Sequence, residues 1–162
     1  MFNGTSWGPN VDVLTDEQYG AFSPVSCATV TFCLVVGHGG LSAIFDGTKS
    51  LGEYFVPGGE TPLTLSCPAV GLCLAGGWQG QTYTFNTGSG WKKQQTFGSS
   101  TGYVSVSCSS ATFCVAASSS GRTAVYRGAT WTMAPAPPTA GPVVSVSCDA
   151  LNSALVTFSW VV

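Results

Sequence analysis

The chain has 162 residues, a net charge of -2 and only 7% charged side chains, so it lacks the basic surface that nucleic acid or an acidic membrane would attract. Its length fits one domain with a real hydrophobic core. No stretch is long and apolar enough to cross a bilayer, and the first residues lack the pattern of a signal peptide. We therefore expect no nucleic-acid partner and no membrane insertion, and we interpret the chain as a mature secreted form, or part of one, with an initiator Met added.

The first predicted element is a short hairpin that ends at Trp7, and the same pattern of an aromatic residue, a Gly turn and a Trp occurs twice more. It recurs from Phe85 to Trp91 and from Tyr126 to Trp131, while the corresponding segment from Phe45 to Ser50 lacks the Trp. Glycine supplies the positive φ of a tight turn, and aromatic residues suit half-buried strands. Because they recur at matching positions, we expect the three tryptophans to be structural, packed between repeats or beside the hairpin.

A Ser-Cys-x5-Cys motif lies between these hairpins. The leading cysteines are residues 27, 67, 108 and 148, which are 40, 41 and 40 residues apart, and the fourth copy has Ala154 in place of the second Cys. A spacing this regular predicts a repeated structural unit. We place the units at residues 24–61, 62–101 and 102–140, with a fourth unit split between residues 141–162 and 1–23.

Each unit is predicted to contain four short strands. In the third unit they begin at Val104, Phe113, Thr123 and Thr130, and the first alternates apolar and polar residues with the period of two that is typical of a strand. No window shows sustained helical periodicity, so we expect an all-β protein with essentially no α-helix. Glycine-rich hairpins joining four-stranded units of about 40 residues indicate the blades of a β-propeller.

The paired cysteines favour disulfides at the turn from the first strand to the second. Such local disulfides belong to secreted or periplasmic proteins. Six reduced core cysteines in a cytosolic protein are the alternative. A metal site is less favoured, because five residues separate each pair and His38 is the single histidine. Cys148 has no partner in its own unit, so it is either buried and unpaired or bonded to a second chain. The expected disulfides are Cys27 with Cys33, Cys67 with Cys73, and Cys108 with Cys114.

The repeat Val-Ser-Cys-x5-Cys-Val-Ala followed by Tyr-x-Gly-x-x-Trp resembles the Cys-paired β-propeller repeats of secreted bacterial surface proteins, and the resemblance covers nearly the whole chain. It implies a scaffold of four-stranded antiparallel blades with no catalytic motif of its own. The two termini together supply most of one blade, so the chain holds about four. A four-bladed monomer, a dimeric eight-bladed ring and a fragment of a longer propeller all remain open at this point.

The candidate site lies in the loops between the second and third strands, which differ in every copy. Trp78 and Trp160 fall outside the repeated Trp positions, and exposed aromatic rings stack against sugars. Gln79, His38 and Arg122 occupy equivalent loops and can donate to sugar hydroxyls. The alternative is that both tryptophans pack under neighbouring linkers or at a subunit contact.

Catalysis has little support in the sequence. The seven acidic residues are spread over linkers and hairpins, whereas glycoside hydrolysis needs paired carboxylates, and no nucleophile motif accompanies His38. We therefore expect no enzyme activity, no cofactor and no metal, and predict a secreted, lectin-like module that binds a glycan or another cell-surface ligand. The alternative is a structural or assembly role in which the ends and exposed aromatic residues mediate association, for example as a homodimer.

Overall fold

The strands follow the repeat of the sequence. The structure, a computed structural model, describes residues 5–14, 24–99, 101–135, 142–149 and 153–158. These ranges contain fourteen β-strands, two short 3-10 turns and no α-helix, so the all-β prediction is confirmed. No helix within them is long and apolar enough to span a membrane.

Three four-stranded sheets and one two-stranded sheet follow one another along the chain, each an antiparallel meander. The first sheet contains β1 (Val25–Thr29), β2 (Phe32–Val36), β3 (Leu41–Phe45) and β4 (Ser50–Phe55). The second contains β5 (Thr64–Ala69), β6 (Leu72–Gly76), β7 (Gln81–Asn86) and β8 (Gly90–Gln95). The third contains β9 (Val104–Ser110), β10 (Phe113–Ser118), β11 (Thr123–Tyr126) and β12 (Trp131–Ala134). The fourth contains β13 (Val143–Cys148) and β14 (Ala154–Phe158). The 3-10 turns are His38–Gly40 and Pro57–Gly59.

The three predicted disulfides are present, each joining the first two strands of a four-stranded sheet. In the first sheet Cys27 lies directly opposite Cys33, with the Cα atoms 3.9 Å apart. Cys148 has no disulfide partner within the chain and is a half-buried thiol. Burial raises the pKa of this thiol, and its Sγ donates to the Ser107 carbonyl oxygen at 3.1 Å.

The serine before each of the first three leading cysteines joins its sheet to the next, a contact that we call the serine ladder. Its Oγ accepts a hydrogen bond from the backbone N–H of the leading cysteine in the following unit. An N–H that faces a neighbouring sheet cannot pair within its own, so a side chain from that neighbour must satisfy it. The three bonds run from Cys67 N–H to Ser26, from Cys108 N–H to Ser66 and from Cys148 N–H to Ser107, at 3.0, 3.1 and 3.1 Å.

The hydrophobic core lies between consecutive sheets rather than inside one of them. Leu34 of the first sheet packs in one cluster with Tyr83 and Phe85 of the second. Leu74 of the second sheet packs with Val106 of the third. A third cluster joins the third sheet to the fourth. Each sheet is therefore stabilised by the next, as in repeat proteins whose units contact only their neighbours.

Gly76, at the end of β6, permits a close approach of the third sheet. A Cβ atom built there would lie 2.8 Å from Thr64 Oγ1 and would also collide with the backbone of Val104. Thr64 Oγ1 accepts from the Val106 N–H and donates to the Val104 carbonyl oxygen, both at 3.1 Å. The second and third sheets thus meet backbone to backbone at this point.

Two of the three repeated tryptophans are packed as predicted, and the third is not. Trp91 is buried, and its Nε1 donates to Ser42 Oγ of the first sheet at 2.8 Å. Trp131 packs against Tyr126 with ring centroids 5.4 Å apart. Trp7, in contrast, is exposed. Trp7 instead lines a recess beside the first sheet, so the prediction of a packed ring was wrong for this residue.

The sheets form an open series in which the inner strands β1, β5, β9 and β13 are successive neighbours. Within the described residues the fourth sheet does not close onto the first. The predicted split unit requires residues 1–4 and 159–162, which lie outside those that the structure describes. The described residues therefore form an all-β repeat of antiparallel meanders, three of which contain a disulfide.

Candidate functional site

A cleft of about 530 Å³ opens where the loops of the first and second sheets meet. Its walls come from the 3-10 turn after β2, from the linker before β5 and from the loop between β6 and β7. Concave sites that combine aromatic and polar side chains are typical of small-molecule binding. The lining residues are His38, Glu60, Thr61, Leu63, Trp78, Gln79 and Gln81.

Trp78 presents its indole ring at the edge of this cleft. The side chain is 57% exposed, and the ring meets Tyr103 edge-on with centroids 6.3 Å apart. The hydroxyl of Tyr103 donates to the Val143 carbonyl oxygen at 2.7 Å, which fixes the supporting ring. One face of an aromatic ring is a platform for an apolar face of a ligand.

The loop that carries Trp78 has a constrained backbone. Gln79 has a φ of 55°, the one positive value among the non-glycine residues that the structure describes, and Gly80 follows with 75°. The Gln81 N–H donates to the Trp78 carbonyl oxygen at 3.2 Å and closes the turn. A non-glycine residue in the left-handed region carries strain that the surroundings must offset, and such strain concentrates at ligand sites. The backbone thus holds Trp78 and Gln79 in a fixed orientation.

Glu60 is the polar centre of the cleft. The Tyr83 hydroxyl donates to its carboxylate, and Lys93 Nζ donates to both of its oxygens at 3.0 Å. Tyr83 also lies 2.6 Å from Gln81 Oε1, but a single hydroxyl proton cannot serve both acceptors. Turning the Gln81 amide resolves this, because Nε2 then donates to Tyr83 and Glu60 while Oε1 accepts from Lys93.

This network fixes the charge of the cleft. Burial alone would raise the pKa of the Glu60 carboxyl, but the hydrogen bonds from Tyr83 and Lys93 outweigh it, so the pKa is lowered. Burial and the neighbouring Glu60 charge both raise the pKa of Tyr83. At neutral pH the cleft therefore holds a carboxylate and a neutral phenol, with the Lys93 ammonium ion-paired to Glu60.

Three of the five predicted site residues come together in the cleft. Trp78, Gln79 and His38 all line it. Arg122 does not: it lies in the loop between β10 and β11, exposed and beside Gly98. Trp160 lies outside the described residues. The cleft therefore uses one pair of adjacent sheets, and Arg122 belongs to the boundary of the next pair.

The sequence analysis missed the polar centre of the cleft. Glu60 lies in a linker, and Gln81, Tyr83 and Lys93 lie on strands, so none belongs to a variable loop. One signal was available, since Gln81 and Tyr83 share a face of a predicted strand on which unpaired polar groups are costly. Tyr83 lies directly opposite Lys93 across β7 and β8. A lysine there supplies the opposite charge for the partly exposed Glu60 carboxylate.

The cleft holds one carboxylate inside a hydrogen-bonded polar network. Among its lining residues, Glu60 is the one carboxylate, and it is engaged by three donors. Glycoside hydrolysis requires a second carboxylate across the bond to be broken. Within the described ranges, no cluster of three His, Cys, Asp or Glu side chains is arranged to hold a metal ion.

No family model matches the sequence, and no curated protein matches it. The function is therefore inferred from the residues of the cleft and from the architecture of the repeat.

Proposed function

We propose that this chain is a non-enzymatic recognition module that binds a carbohydrate, with one sugar ring stacked on Trp78. The observation that carries the proposal is the exposed indole beside a rigid polar cleft. A pyranose ring has an apolar face of C–H groups and an edge of hydroxyls, so it needs an aromatic platform next to hydrogen-bonding side chains. Trp78 supplies the platform, and His38, Gln79 and Glu60 border it.

The polar residues of the cleft divide into donors and acceptors that match hydroxyl groups. With the Gln81 amide turned, Oε1 of Glu60 accepts from Lys93 alone and keeps a free lone pair, whereas Oε2 is used by Tyr83, Lys93 and Gln81. The Thr61 hydroxyl already accepts from the Gly39 N–H at 3.0 Å. Hydrogen bonds to an ionised group are stronger than neutral ones. A neutral glycan with adjacent hydroxyl groups is therefore favoured over an anionic one, which the Glu60 charge would repel.

The proposed scaffold is a β-propeller whose blades are the disulfide-bonded meanders, with β1, β5, β9 and β13 innermost. The supporting features are the unit of about 40 residues, the four-stranded meander and the packing of each sheet on the next. Three disulfides indicate an oxidising compartment. We accordingly place the protein outside the cell, where it acts as a lectin-like module for surface glycans.

A glycan array followed by titration calorimetry tests the proposal. We expect the wild type to bind a subset of neutral glycans and Trp78→Ala to weaken this binding by about tenfold or more, because stacking contributes on the order of 1 kcal/mol or more. Phe55→Ala is the matched control, since Phe55 is also an exposed aromatic residue but lies on β4 away from the cleft lining. An array without hits, or a Trp78→Ala variant that binds as well as the wild type, would contradict the proposal.

A further inference from the structure

The two ends of the sheet series expose complementary halves of the contact that joins the sheets internally. In each internal contact, one sheet contributes a serine on its first strand and a large aliphatic residue opposite it on the second strand. These aliphatic residues are buried in all three internal cases, against the first strand of the following sheet. The pairs are Ser26 with Leu34, Ser66 with Leu74 and Ser107 with Val115.

The last sheet carries the same pair with nothing over it in the described residues. Ser147 lies opposite Leu155, which is the position of Leu34, Leu74 and Val115. Leu155 is 68% exposed, whereas Val115 is 6% exposed. We call the surface formed by Ser147 and Leu155 the serine face, since it would supply the serine of a further contact.

The first sheet carries the opposite half. Val25 is two residues before its leading cysteine, as Val106 and Val146 are in later units, but it is 61% exposed where each of those is 6% exposed. Cys27 is also exposed, whereas Cys67 is buried. We call the surface formed by Val25 and Cys27 the amide face, since its Cys27 N–H would donate to the serine of another sheet.

A recess adjoins the amide face. A cavity of about 980 Å³ lies between the segment that runs from Trp7 to Val13 and the first sheet, and both Val25 and Cys27 line it. Trp7 and Val11 on its other wall are exposed apolar residues. The recess is large and mostly apolar, as expected where the edge of another sheet and its aliphatic side chains would dock.

We propose that the serine face of one copy docks on the amide face of a second copy and reproduces the internal contact. Ser147 Oγ of one copy accepts from the Cys27 N–H of the other, and Leu155 covers Val25. Both faces are exposed in the same chain, which favours a second copy as the occupant. Different surfaces meet in this contact, so it is head-to-tail and can close into a ring or continue. The inference is independent of glycan binding.

Light scattering during size-exclusion chromatography tests the association. We expect the wild type to have a mass of at least twice the 16.6 kDa of one chain. Val25→Asp and Leu155→Asp should each fall to the mass of one chain, because a charge on either face would be desolvated without a partner. Both side chains are exposed in the single chain, so the variants should keep their fold, which circular dichroism checks.

Leu51→Asp is the matched control, since Leu51 is an exposed leucine on β4 outside both faces, and its mass should equal that of the wild type. Mixing the Val25→Asp and Leu155→Asp variants should restore a mass of two chains, because one intact contact remains between them. A wild type that is monomeric at high concentration would overturn the proposal. A mixture that stays monomeric, or a control that dissociates as the face variants do, would overturn it as well.

Discussion

The serine of the repeated motif has a role that depends on its neighbour in the next sheet. Ser66 Oγ accepts from the Cys108 N–H, a backbone group that points out of its own sheet. Cys108 lies directly opposite Cys114 and joins it through the disulfide. In each motif the serine thus makes the hydrogen bond to the next sheet, and the cysteine that follows it makes the disulfide within its own sheet. The Ser-Cys pair therefore combines a contact between sheets with a covalent bond within one.

Replacement of Ser66 by Ala should lower the free energy of unfolding by about 1 to 2 kcal/mol, because the Cys108 N–H then loses its partner in a partly buried place. Urea unfolding followed by tryptophan fluorescence measures the change. Ser89→Ala is the control, since Ser89 lies exposed in the turn between β7 and β8. Its hydrogen bond to the Asn86 carbonyl oxygen is donated by its backbone N–H, which the substitution keeps. Equal losses in the two variants would count against the serine ladder.

The strands and disulfides could be predicted from the sequence because each follows from local pattern. Alternation fixed the first strand of each unit, and the spacing of the cysteines matched the turn between two paired strands. The serine ladder could not be predicted in the same way. It joins residues about 41 positions apart, Ser26 with Cys67 for example, and depends on how sheets stack. The same reason explains why the sequence did not predict that Glu60 and Trp78 would line one cleft.

At the scale of the element, the close contact between the second and third sheets depends on Gly76. The first sheet has Val36 at the equivalent position and the third has Ala117. At Gly76 the backbone of Val104 lies too close for a side chain, whereas the two equivalent positions accommodate one. The units are therefore similar in topology without being identical in spacing.

We expect Gly76→Ala to destabilise the protein by about 1 to 3 kcal/mol, because the new methyl group forces β9 away from β6 and weakens the Thr64 bonds. Thermal unfolding by calorimetry is the measurement. Gly88→Ala serves as control, since a Cβ at Gly88 meets nothing within 4 Å. A Gly76→Ala protein as stable as the control would show that the sheets can separate without cost.

At the scale of the whole molecule, stability is expected to be uneven along the series. Among the described residues, the second and third sheets are each packed on both sides, whereas the first and fourth sheets are each packed on one side. Local opening is easiest where fewest apolar contacts hold the backbone. The ends should therefore open before the middle.

Hydrogen exchange of a chain that cannot associate, such as Leu155→Asp, tests this gradient. The Cys27 amide should exchange faster than the Cys67 and Cys108 amides, because those two donate to serines of the preceding sheet. Leu34 and Leu74 are fully buried and serve as slow internal references. Equal protection at the three cysteine amides would mean that another group satisfies the Cys27 N–H.

The serine ladder also bears on how such a protein can change in size during evolution. Every unit holds the accepting hydroxyl and, one residue later, the donating amide, so the same hydrogen bond can form between any two neighbouring copies. A duplication of about 40 residues in phase would therefore supply both partners of a new hydrogen bond between sheets, and the side chains around it, as at Gly76, would set how closely the two sheets approach. The length of the series is thus free to vary, while the chemistry of each contact is inherited unchanged.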